Sequence, residues 1–225
     1  MGVSPFEIKS CALIVRMDGE PSAINLRELC DRTTRCSDDS IYHHFCEIQL
    51  RPTFDDPEFT NDFATWAYRA LRDDVLAERL GILDPQTAGS IENLRTALLD
   101  VLEERLSEID YIPWAGYGRA FYFMRASMVV FDTGVRLDRP DEIIWALKTM
   151  SRASIYYHFV EARRHFPEGN DDFSEWLRRN GPLGLRLDEE FSRMDVQFYP
   201  LRDLRQELLR RAHEVVGQVL GTGGP

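Results

Sequence analysis

The chain has 225 residues, 44% hydrophobic and 29% charged, and its 38 acidic and 27 basic side chains leave a net charge of −11. That length supports one or two domains with true cores. The charge argues against non-specific binding to nucleic acid or to an anionic membrane, since both need a positive face.

Phe6 to Met17 is almost continuously apolar and closes at Asp18-Gly19, which predicts a strand ended by a turn. Ile24 to Arg32 reads as a short helix. Ser37 is a good N-cap, and Asp38 and Asp39 in the next turn face the positive helix end. Ile41, Phe45 and Ile48 then share one face. Phe63, Trp66, Ala67, Ala70 and Leu71 form the next apolar face. Ile91, Leu94, Leu98, Val101, Leu102 and Leu106 follow a longer helical stripe. Residues 111–119 hold Pro113, Gly116 and Gly118 with three aromatics, which predicts a packed connector. Phe121 to Phe131 predicts a second strand, closed by Asp132-Thr133-Gly134. Both strands are apolar enough to suggest that both of their faces are covered.

Pro140 suits the first turn of a helix over Asp141 to Met150. Leu183 to Met194 reads as a weaker counterpart of the Phe63 face, after a break at Gly181-Pro182. Leu201, Leu204, Leu208, Ala212, Val215 and Val219 repeat the long stripe. Residues 221–225 should be a disordered tail.

Much of this second series copies the first. Ser40-Ile41-Tyr42-His43-His44-Phe45-Cys46-Glu47 returns 114 residues later as Ser154-Ile155-Tyr156-Tyr157-His158-Phe159-Val160-Glu161. The same offset pairs Ala12 with Ala126, Asp18 with Asp132 and Ser37 with Ser151. After a loop four residues longer in the first copy, an offset of 110 pairs Asp62, Phe63, Trp66 and Arg69 with Asp172, Phe173, Trp176 and Arg179. A tandem duplication follows. The repeats are expected over 1–110 and 120–220, each with one strand and about four helices by periodicity. The fold class is therefore α+β and mostly helical, with pseudo-twofold symmetry. A lone strand cannot satisfy its own backbone, so the two strands should pair with each other. Residues 1–110 alone would then expose an open edge and self-associate or aggregate.

The repeated octamer is the natural place for chemistry. Ser40, His44 and Glu47 share one helical stripe, and Ser154, His158 and Glu161 repeat it. Buried histidines beside such faces need polar partners, and the Ser hydroxyl or the Glu of the same stripe is the expected one. A ligand held near the stripes would meet Ser40, Tyr42, His44, Glu47, Ser154, Tyr156, His158 and Glu161. Each copy offers only two metal ligands, and neither His-Glu-x-x-His nor a di-iron Glu-x-x-His pattern occurs, so no metal, cofactor or catalytic residue is assigned. Asp132-Thr133-Gly134 resembles an aspartic-protease loop, but Asp18-Gly19-Glu20 lacks its counterpart, and a turn is the simpler reading. Phosphate-binding glycine loops are absent. Cys46 becomes Val160 and lies two residues from His44, too close along a helix to face it.

Cys11, Cys30, Cys36 and Cys46 lack paired spacing and read as reduced thiols. With no charged-then-apolar leader, a cytoplasmic location is expected. Arg163-Arg164-His165 and Arg210-Arg211 read as solvated helix faces.

The strings Ser-Ile-x-x-His-Phe, Asp-Phe-x-x-Trp and Leu-Ala-Glu-Arg-Leu (Leu76 to Leu80) resemble a bacterial and archaeal family defined by a domain of unknown function. The first copy carries all three and the second carries two. The resemblance implies no activity or cofactor, and it favours an accessory or regulatory module. The expected function is therefore non-catalytic binding of a protein partner or a small ligand, with no nucleic acid and no membrane. The alternative is a metal- or His-dependent hydrolase built on His44 and His158. Assembly as a homo-oligomer is a third reading.

Overall fold

The computed structural model describes residues 4–51, 59–162, 172–194, 196, 199 and 201–221. The fold is α+β and mostly helical. Strand β1 (Phe6–Met17) pairs with β2 (Met124–Leu137) in a two-stranded antiparallel sheet, as the backbone requirement predicts. β2 runs six residues beyond the expected end at Phe131. The Thr133 hydroxyl donates to the Ile8 carbonyl there, and Gly134, at φ 79°, passes the bend without a Cβ penalty. Asp132 does accept the Gly134 N–H, at 2.8 Å, as a turn aspartate should.

Coverage of both strand faces does not hold. From Phe6 to Ser10 the burial of β1 alternates, and Ile14, Val15 and Met17 are exposed. Two strands form one thin layer, and their apolar residues extend past the helices that cover them.

Chain segments cluster into two compact units, Leu13–Ser127 and a second made of the residues up to Ala12 with those from Met128 onward. The repeat boundaries read from sequence follow the copying pattern. The compact units follow packing, and each takes the strand arm that precedes the other unit's helices in the chain.

In the Leu13–Ser127 unit, α1 (Leu26–Thr33) is capped by Asn25 and α2 (Asp38–Phe45) by Ser37, whose side chain accepts the Ser40 N–H. A 3-10 turn (Glu47–Leu50) follows. Helix α3 (Asp62–Trp66) starts at the Asn61 cap and widens into a π-helical turn over Ala67–Leu71. Then come α4 (Asp74–Gly81), the single turn α5 (Pro85–Ala88) and α6 (Ile91–Glu108). Leu26, Leu29, Ile41, Phe63, Leu76, Leu80, Leu94 and Leu98 meet in the core, together with Phe121 and Phe123 from the arm before β2. The connector is fastened by its backbone, with Ala115 N–H donating to Ile24 C=O at 2.7 Å. Its aromatics Tyr111, Trp114 and Tyr117 are exposed, which corrects the expectation that they pack.

In the second unit a 3-10 turn (Pro140–Glu142) leads into α7 (Ile143–Thr149). Helix α8 (Arg152–Ile155) is capped by Ser151 and widens into a π-helical turn over Tyr156–Glu161. Helices α9 (Asp172–Arg178), α10 (Gly181–Ser192) and α11 (Leu201–Gly221) complete it. The counterpart of the Phe63 face is α9, which buries Phe173, Trp176 and Leu177; α10 is a further helix. Of the expected tail 221–225, Gly221 is the last residue of α11; residues 222–225 and the basic run 163–165 lie outside the described residues. Arg210 is exposed and pairs with Glu207 and Glu214, as read, whereas Arg211 is half-buried, pairing with Glu207 and donating to the Glu190 carbonyl.

Gly184 lets α10 lie directly on α9, because a Cβ there would overlap the Leu177 carbonyl oxygen. Gly184→Ala should therefore destabilise the chain, by about 1–3 kcal/mol for forced overpacking, measured as a lower urea midpoint. Residues 13–127 expressed alone should melt cooperatively as a monomer. Residues 1–110, which lack Phe121 and Phe123, should show no cooperative monomeric transition by calorimetry and sedimentation.

Candidate functional site

His44 and His158 are 2% and 1% exposed, so each must satisfy both ring nitrogens inside the protein. In the Leu13–Ser127 unit the Met124 N–H donates to His44 Nε2 at 3.0 Å. That fixes the proton on Nδ1, which donates to Asp62 at 2.6 Å. In the second unit the Lys9 N–H donates to His158 Nε2 at 2.9 Å, and Nδ1 donates to Asp172 at 3.0 Å. The Trp residues of the same motifs complete each clamp. Trp66 Nε1–H donates to the Arg119 carbonyl at 2.7 Å, and Trp176 Nε1–H donates to the Ser4 carbonyl at 3.2 Å. Phe121 stacks on Phe63 in one unit and Phe6 stacks on Phe173 in the other. Each of these clamp bonds thus has a counterpart in the other unit.

The expected partners of these histidines, Ser and Glu of the same stripe, are not the ones used. Ser40 Oγ is buried without a hydrogen bond among the described residues, and Ser154 Oγ meets Ser151 Oγ at 3.0 Å. Glu47 accepts from His43 Nδ1 at 2.7 Å, and Arg51 donates to His43 Nε2 at 3.0 Å. Arg51 also reaches Asp62, so Glu47, His43, Arg51, Asp62 and His44 form one polar network. In the second unit the position matching His43, 114 residues later, is Tyr157. Tyr42, Tyr156 and Glu161 are buried. Of the eight candidate residues, His44 alone lines the groove described next. No group of three or more His, Cys, Asp or Glu among the described residues could hold a metal ion.

That open groove lies wholly within the Leu13–Ser127 unit, with a volume of about 1350 Å³. Val15, Met17 and Met124 supply an apolar wall, and Tyr68 and Tyr122 stand exposed on it. Arg51, Arg69, Arg72 and Arg119 line it against two carboxylates, Asp62 and Asp74. Asp62 is already held by His44 and Arg51. Arg119 donates to the Arg69 carbonyl at 2.9 Å, which sets its guanidinium beside the backbone of Arg69. Arg69, Arg72 and Arg119 have no carboxylate partner among the described residues. Arg72 takes φ 57°, ψ 40°, a left-handed conformation that costs a residue with a Cβ about 1–2 kcal/mol. It ends the π-helical turn of α3, a widening often found at functional positions.

Sequence reasoning missed this site and the Asp partners. Asp62 and Asp172 were visible as matched residues of Asp-Phe-x-x-Trp, but they stand 18 and 14 residues from their histidines, beyond helical spacing. A trace of the groove also existed, because matched positions change character there. Thr65 replaces Glu175, and one residue beyond the 114 offset, Arg119 replaces Ser4.

A family model described as a family of unknown function (DUF5752) matches residues 3–213. The solved structure of OrfY from Thermoproteus tenax is similar at 29% sequence identity with a TM-score of 0.75, covering 96% of this chain and 97% of that one. No curated protein matches the chain. No helix among the described residues is long and apolar enough to cross a membrane.

Burial lowers the pKa of His44, and the Asp62 carboxylate offsets this only in part. The unfolded chain takes up a proton below about pH 6.5, where the folded chain resists it. The contribution of neutral His44 is thus whole above that pH and is lost as pH falls. The melting temperature should drop between about pH 7 and about pH 5. His44→Gln should lower it at neutral pH and make that drop shallower, measured by calorimetry across the pH series.

Proposed function

We propose that this chain, which belongs to the DUF5752 family of unknown function, is a non-catalytic binding module of accessory or regulatory type. Its ligand site is the groove of the Leu13–Ser127 unit. The observation that carries this reading is the engagement of both ring nitrogens of His44 and of His158. A general base needs a free lone pair within reach of a substrate proton. Here Nε2 of each ring accepts a backbone N–H, and protonating it would break that bond. A hydrolase built on the repeated Ser, His and Glu stripe also lacks a nucleophile contact, since neither His meets its stripe serine. The groove, by contrast, combines apolar surface with a few polar groups, as ligand sites do.

The test is turnover by the purified full chain on chromogenic carboxylic esters, phosphate esters and peptide amides. The expected result is hydrolysis no faster than in buffer. Hydrolysis that disappears in the folded His44→Gln or His158→Gln variant would overturn the non-catalytic reading.

A further inference from the structure

The chain carries a net charge of −11, yet the lining of this groove counts four arginines against two aspartates, a local balance of 4 − 2 = +2. The three arginines without a carboxylate partner among the described residues are Arg69, Arg72 and Arg119. Resting on the binding-module reading above, we propose that the groove takes a phosphate monoester carried on a planar ring, with the chemistry of a nucleoside monophosphate. A phosphate monoester has a charge of about −1.5 to −2 at pH 7, which matches the local excess. Guanidinium groups present planar forks of donors suited to phosphate oxygens. Tyr68 and Tyr122, exposed on the same groove, offer faces on which a planar ring stacks.

The second unit acts as an internal comparison. Arg179 matches Arg69 but is held by Glu175, whose place beside Arg69 is taken by Thr65. Ser4 stands where Arg119 does. Asn180-Gly181-Pro182-Leu183 has no cation, and its left-handed residue is Gly181, at φ 74°. Among the described residues, a left-handed position is occupied by a side chain only in the Leu13–Ser127 unit, and that side chain is a groove arginine. A glycine would make the same bend without strain. Arg72 is therefore accounted for by what its guanidinium does.

The experiment is calorimetric titration of the full chain with adenosine 5′-monophosphate, inorganic phosphate and adenosine. Saturable binding of the monophosphate is expected, with phosphate and adenosine each weaker by about tenfold or more, the worth of one charge-assisted hydrogen bond or one ring stack. Arg69→Gln, Arg119→Gln and Arg72→Gly should each weaken monophosphate binding by about tenfold. Arg72→Gly should at the same time raise the melting temperature, a combination that loss of fold could not produce. Arg179→Gln should bind as the unaltered chain does. No saturable binding of the monophosphate overturns the proposal, as does binding unchanged in the three groove variants. Adenosine binding as tightly as the monophosphate overturns the role of the phosphate, and phosphate binding as tightly overturns the role of the ring. Failure here without hydrolysis leaves the binding-module reading standing, whereas His44-dependent hydrolysis removes that reading itself.

Discussion

A buried imidazole between a carboxylate and a strand amide is the constraint on which each unit depends. The helix bearing the histidine, the helix bearing the aspartate and the arm bearing the N–H meet at one ring. A satisfied hydrogen bond contributes only about 0.5–1.5 kcal/mol, but an orphaned buried group costs about 1–3 kcal/mol. Removing any of the three elements orphans at least one buried atom, so the interaction specifies the arrangement more than it stabilises it. The Trp indole performs the same task on the carbonyl side of the arm, five residues earlier in the chain. Arm, helix and loop are held at two points, and the phenylalanines between them fill the remaining space.

How much of this was legible depends on the distance over which the physics acts. Local chemistry could be read. Ser37 and Ser151 cap their helices because a hydroxyl reaches the third amide along, a contact that depends on neighbours alone. The pairing of β1 with β2 also followed, since unpaired strand backbone has to find a partner. The partners of His44 and His158 did not follow. Asp62 and Asp172 arrive across loops of different length, which hides any fixed spacing. The groove was invisible for a related reason. Its cations come from the end of one helix and from a connector about fifty residues away, and the π-helical turn that precedes Arg72 has no periodic signature.

The two units also show that one framework can carry different surfaces. The residues that build the clamp match position by position, and the departures lie around it, at buried positions such as His43 as well as at exposed ones such as Arg72. His43 with Arg51 extends the polar network in one unit where Tyr157 stands in the other. Such a division lets one clamp set the geometry while the residues around it change.

The long reach of the arms has a consequence for the order in which the chain can fold as it is synthesised. Everything that Leu13–Ser127 buries is available once residue 127 has emerged, so this unit can close while the remainder is still being translated. The residues around Phe6 emerge before the helices of either unit, yet Ser4 and Lys9 bind Trp176 and His158, which follow 172 and 149 positions later. Until those residues have been made, Phe6 and Ile8, both core residues, have no finished site to enter. This apolar segment is made early and sheltered late, and during that interval it stays open to water.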